Sequence, residues 1–131
     1  MARILLIEPD TMLAKIYETA LTHDKHKVST VSGAQMAINV ADKKRPDLII
    51  MELQLAAHNG IEFLYELRSY PDWQSVPVII NSLVPPTEFS SNEVFWREMT
   101  VRAYLYKPQA SLAKLLRTVQ ACLVAVPSLD T

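Results

Sequence analysis

Three short apolar runs, Ile4–Ile7, Leu48–Leu53 and Val76–Ile80, restrict this chain more than any other feature. A strand with one wet face alternates apolar and polar residues, whereas a run that is apolar at both parities is covered on both faces. That is the pattern of a parallel sheet buried between helices. Val28–Val31 and Val101–Tyr106 are more mixed, as edge or later strands often are. Helical spacing fills the gaps: Leu13, Ile16, Tyr17, Ala20 and Leu21 form one stripe, and Ala34, Ala37, Ile38 and Ala41 a second. The alternation βαβαβαβαβα predicts an α/β fold, a doubly wound five-stranded parallel sheet with right-handed crossovers and helices on both faces.

The third helix is predicted to start at Asn59, with Glu62 completing a capping-box pair and Ile61, Leu64 and Leu67 turned inward. VPPT at 84–87 forces an extended loop, after which Ser90 and Glu93 offer a second capping box for a fourth helix from about Ser91 to Thr100. The fifth helix carries Leu112, Leu115, Leu116, Val119, Cys122, Leu123 and Val126 at i, i+3, i+4, i+7 spacing. A chain of 131 residues has room for one domain, expected over 1–126, with 127–131 as a short frayed tail.

Thirteen Lys and Arg against fourteen Asp and Glu leave a net charge of −1, so no global field draws nucleic acid or anionic membrane, and direct contact with either is not expected. The lone Cys122 cannot form an internal disulfide and falls in the apolar stripe of the fifth helix, which suits core packing in a reducing compartment. The opening MARILLIEPD is too short for a signal-peptide core, and no run approaches the ~18 apolar residues of a membrane span. A cytoplasmic, soluble protein is expected.

In an open parallel sheet, ligands gather at the carboxyl ends of the strands. There the first strand delivers Glu8, Pro9 and Asp10, the third Glu52, the fourth Asn81 and Ser82, and the fifth Lys107 and Pro108. Each has a plainer reading. Asp10 suits the N-cap of the first helix, Ser82 a strand-end backbone partner, and Lys107 a solvated charge ahead of a helix-starting proline. Their convergence behind apolar strands argues for a site.

RILLIEPD, PDLIIMELQL with HNG after it, VPVIINS and YLYKP occur in that order, and the chain resembles, over nearly its whole length, the response-regulator receiver domains of two-component signalling and phosphorelays. The resemblance implies flavodoxin-like strand order 2-1-3-4-5, a phosphoacceptor at position 52, a hydroxyl at Ser82, a lysine at Lys107 and a switch aromatic at Tyr104. It further implies a turn at Asn59 and Gly60, magnesium held by acids at the first strand's end, and a cis bond between Lys107 and Pro108. Two positions depart: Glu52 replaces the expected aspartate, and Pro9 replaces a magnesium-binding acid. Glu8, Asp10 and Glu52 remain as weak metal candidates, so no cofactor is expected.

Glutamate reaches about 1.5 Å further than aspartate, and a misplacement near 1 Å costs phosphoryl transfer roughly a hundredfold. The longer carboxylate also brings charge toward Ser82 and Lys107. A charge-assisted hydrogen bond made in one state only is worth about 1.5–3 kcal/mol and biases a switch without phosphate. Plain pairing of Glu52 with Lys107 is the alternative. The leading expectation is a stand-alone pseudo-receiver, not an enzyme, that acts by protein contact through the fourth helix, fifth strand and fifth helix. The alternative is a receiver that takes phosphate on a non-standard carboxylate, Asp10 or Glu52, with magnesium. A nucleotide- or flavin-binding enzyme would need a glycine-rich phosphate loop, and the chain has only Gly33 and Gly60. Phe89, Phe95, Trp96 and Met99 read either as core or as a partner or homodimer face.

Overall fold

The computed structural model describes residues 2–55, 59–89 and 93–125. Five strands, β1 (Arg3–Ile7), β2 (Lys27–Val31), β3 (Leu48–Met51), β4 (Val78–Ser82) and β5 (Val101–Tyr106), alternate with helices α1 (Thr11–His23), α2 (Ala34–Lys43), α3 (Gly60–Ser69), α4 (Glu93–Glu98) and α5 (Leu112–Ala125). All strand pairs are parallel and the order is β2-β1-β3-β4-β5, as expected.

Two-sided burial follows from the side-chain period of two. Leu5, Ile7, Ile49 and Met51 pack with Ala34, Ala37, Ala41, Phe63, Leu64 and Leu67 under α2 and α3. Ile4, Leu6, Leu48 and Ile50 pack with Leu21, Leu115, Val119 and Cys122 under α1 and α5. Each fully buried aliphatic side chain contributes about 1.5–3 kcal/mol relative to exposure.

Local differences from the sequence reading have identifiable causes. β3 stops at Met51: the Glu52 N–H still donates to the Ile7 carbonyl, and its side chain then closes a turn on the Leu53 and Gln54 amides. β4 runs to Ser82 rather than stopping at Ile80, because Asn81 and Ser82 still pair with Leu105 and Tyr106 of β5. α1 buries Ala14 and Leu21 while Ile16 is 45% exposed, since the small Ala14 lets the helix lie close on the sheet and turns Ile16 away. The Lys107–Pro108 bond, expected cis, is trans like every peptide bond among the described residues. Pro108 sits inside a 3₁₀ turn, Lys107–Gln109, closed by the Ala110 N–H donating to the Lys107 carbonyl, which accommodates the ordinary trans proline. The Ser90–Glu93 capping box, the helix start near Ser91, Val126, and the 126/127 boundary with its tail lie outside the described residues.

Arg68 was not singled out in the sequence and is structurally central. Its guanidinium donates to the carbonyls of Met99 (2.8 Å), Trp73 (2.6 Å) and Val76 (2.7 Å), tying α3 to the loop before β4 and to the α4–β5 junction. At that junction Thr100 has φ 57°, a left-handed conformation that costs a β-branched residue roughly 1–3 kcal/mol.

The predicted capping box at Asn59 and Glu62 is present. Directly after it, a Cβ on Gly60 would lie 2.7 Å from the Leu53 Cα, so only glycine lets α3 start against the turn that carries Glu52. Gly60→Ala is expected to lower stability by about 1–3 kcal/mol through this overlap, measured by urea unfolding. Unchanged stability would show that the turn yields freely.

Candidate functional site

The carboxyl ends of β1, β3, β4 and β5 bring Glu8, Glu52, Ser82 and Lys107 into one buried cluster. Lys107 Nζ lies 2.7 Å from Glu8 Oε1 and 2.7 Å from Glu52 Oε1. Glu52 Oε1 also accepts from the Leu83 N–H at 3.1 Å. Its Oε2 accepts from the Leu53 N–H at 2.7 Å, the Gln54 N–H at 3.1 Å and the Ser82 hydroxyl. The carboxylate therefore fills an anion cradle made of three backbone amides, a hydroxyl and an ammonium.

The glutamate side chain spans the cradle. Its oxygens fold back to the two amides that follow it while still reaching β4 and Lys107. The Gly60 N–H donates to the Leu53 carbonyl at 2.8 Å and holds the turn in shape. The cradle amides of Leu53, Gln54 and Leu83 were missed by sequence reasoning, because a backbone N–H has no side-chain signature. The only local signal was their place directly after strand-end polar residues.

Ser82 continues the chain of contacts. Its Oγ accepts from the Val84 N–H at 3.0 Å, and the Tyr104 hydroxyl donates to the Val84 carbonyl at 2.6 Å. Tyr104 is folded inward, packs against the core beside Val84 and Trp96, and stacks edge-on with Trp96 at a centroid distance of 5.5 Å. Trp96 contacts Phe95 at 5.0 Å, and Phe95 contacts Tyr65 of α3 at 5.8 Å. Trp96 and Met99 pack against the core.

Asp10 stands apart from the cluster. Its Oδ1 caps α1 by accepting from the Met12 and Leu13 N–H groups, both at 3.0 Å, and the side chain is exposed. Of its two sequence readings, the cap is the one the structure displays. Pro9 contributes no side-chain oxygen, and Glu8 Oε2 accepts from the Asp10 N–H at 3.1 Å. Among the described residues, no group of three or more His, Cys, Asp or Glu side chains is arranged to hold a metal ion.

Burial pushes the Glu52 carboxyl upward, but hydrogen bonds from Lys107, Ser82 and Gln54 and the lysine charge outweigh it and hold the group below its ordinary 4.5. Burial likewise disfavours the Lys107 ammonium, yet the hydrogen bonds and charges of Glu52 and Glu8 raise it above 10.5. Burial and the Glu52 charge push the Tyr104 hydroxyl up to about 12, against a hydrogen bond with Ser82. It stays a neutral donor at physiological pH.

A response regulator receiver domain family model matches residues 4–120. Response regulator ArlR of Staphylococcus aureus is 31% identical over 130 residues, covering 99% of this chain and 56% of that protein. The chain thus spans little more than half the length of the curated relatives it matches. The chemotaxis response regulator CheY4 of Vibrio cholerae superposes with a TM-score of 0.80 at 21% identity, over 92% of this chain and 98% of that one. A CheY-like receiver domain protein from Methanospirillum hungatei gives a TM-score of 0.82 at 20% identity, over 95% of each chain. At these identities the solved structures bear on fold alone. Among the described residues, no helix is long and apolar enough to cross a membrane.

Two outcomes are expected from the cluster. Because the Glu52 carboxyl is held low, its stabilisation is complete above about pH 4.5 and is lost as pH falls through its lower folded value. Because Lys107 is held high, its share persists below 10.5 and is lost only above that. Glu52→Gln should therefore flatten the acid limb of a stability–pH profile and, because Glu52 helps to hold Lys107 high, bring the alkaline loss to lower pH; an unchanged acid limb would refute the assignment. Lys107→Met, which strands two buried carboxylates, should cost about 3–5 kcal/mol at pH 7, measured by denaturant unfolding.

Proposed function

The chain belongs to the response regulator receiver domain family, and on that premise we propose that it is a signalling module whose switch is set by Glu52 itself, independently of phosphorylation. The observation that carries this reading is the filled cradle, in which Glu52 engages Ser82 and Lys107 while Tyr104 is folded in behind them. In the receiver resemblance, negative charge on the phosphoacceptor draws the hydroxyl inward and the aromatic follows. Here a permanent carboxylate supplies that charge. At about 1.5–3 kcal/mol per charge-assisted hydrogen bond, the Ser82 contact alone biases the inward state roughly 10- to 150-fold.

The geometry does not favour phosphate uptake. Transfer to a carboxylate needs an oxygen free to attack in line and a metal to neutralise the phosphoryl oxygens. Both Glu52 oxygens are occupied by donors, and the ammonium of Lys107 already sits between the two buried carboxylates. Magnesium requires near-octahedral oxygen ligation. With Pro9 lacking a ligand and Asp10 capping α1, these residues do not fit that ion. Signalling output then passes to a protein partner through the α4, β5 and α5 face, in the cytoplasm.

Incubation with acetyl phosphate and magnesium, followed by intact mass measurement, should leave the mass unchanged; a labile phosphoryl adduct would overturn the reading. In a Trp73→Phe background, Glu52→Ala should shift the emission of Trp96, because Ser82 and Tyr104 lose the charge that holds them. An unchanged spectrum would mean that the cradle does not set the aromatic face.

A further inference from the structure

β5 is an edge strand, and its pairing with β4 is irregular: Val78 pairs with Val101 and Ile79 with Ala103, so Arg102 is skipped. This one-residue bulge puts both Val101 and Tyr104 on the α3-side core and releases Arg102 from the alternation. Arg102 then joins Lys114 and Arg117 of α5 around a groove of about 480 Å³, whose walls include Ala103, Ala121 and Cys122. Neither β5 nor α5 contains an Asp or Glu. Among the described residues, none of the three cations is in a salt bridge. In a chain of net charge −1, three cations around one groove are a local concentration of positive charge.

We propose that this groove binds an acidic, extended segment of a partner protein. Three features support that occupant. Among the described residues, the outer edge of β5 has no strand partner, and an extended segment satisfies its backbone N–H and C=O groups by adding to the sheet. The small side chains of Ala103 and Ala121 leave room for a backbone to approach. The three cations are complementary in charge to the carboxylates of such a segment, and bulges characteristically re-aim a side chain such as Arg102. A nucleic acid fits less well, because affinity for a phosphate backbone grows with the number of phosphates neutralised and the remaining charge of this chain is acidic. The proposal rests on the preceding reading for one point, that output is by protein contact, and it names the partner's chemistry. Arg102 lies two residues from Tyr104 on the same strand, so the groove adjoins the switch.

The test is a titration of ¹⁵N-labelled protein with a synthetic peptide of alternating Glu and Val, and separately with a DNA single strand of equal charge. The expected result is shifts concentrated at 102–106 and 114–122. Affinity for the peptide should fall about tenfold or more in Arg102→Glu/Arg117→Glu, while that variant's melting temperature is retained. Equal peptide affinity in the variant, tighter binding of the DNA strand, or no shift with peptide would each overturn it. If the peptide fails while acetyl phosphate still leaves the mass unchanged, the groove assignment falls and the Glu52 reading stands.

Discussion

The buried ammonium of Lys107 between Glu8 and Glu52 is the contact on which the site is built. Moving an isolated charge out of water costs several kcal/mol, and only close geometry with further hydrogen bonds offsets it. Both conditions are met, since each carboxylate approaches to 2.7 Å and Glu52 accepts from four more donors besides the lysine. The residues come from the ends of β1, β3, β4 and β5. Parallel pairing brings those ends to one edge, so the cluster is a product of topology, and it in turn fixes the turns that leave the sheet.

From this cluster a continuous run of contacts leads outward. Ser82 binds Glu52 and accepts from the Val84 N–H, Tyr104 donates to the Val84 carbonyl, and the rings of Trp96, Phe95 and Tyr65 follow in edge or tilted contacts. Packed side chains transmit displacement because interiors hold discrete arrangements rather than deforming continuously. Arg68 fixes the far end by binding the Met99 carbonyl beside the strained Thr100, so α4 is anchored where it meets β5. Movement of Tyr104 is thereby referred to a fixed junction.

The strands were legible because burial on both faces leaves an unbroken apolar run, and the Asn59–Glu62 cap because its partners are three residues apart. Glu8, Glu52, Ser82 and Lys107 were legible as strand ends. Contacts between distant segments were not. Asp10 had two adequate readings, and the choice depended on a helix turn whose amides claim its oxygen. Arg68 lies on an amphipathic helix like any solvated arginine, and nothing local shows that three carbonyls converge on it. The extension of β4 through Asn81 and Ser82 is set by β5, whereas the apolar pattern ends at Ile80.

Both departures from the receiver pattern bear on the charge at the strand ends. A phosphoryl group brings about −1.5 to −2 at neutral pH and needs a divalent ion beside it. The carboxylate of Glu52 brings only one negative charge, which one ammonium shared with Glu8 balances in part and the three cradle amides solvate further. An acid at position 9 would add a negative charge directly after Glu8, whose ion-pair partner among the described residues is Lys107. Proline there adds no charge, and Glu8 Oε2 is occupied by the Asp10 amide that follows the proline. In the cluster as it stands, the ammonium of Lys107 lies between the two buried carboxylates.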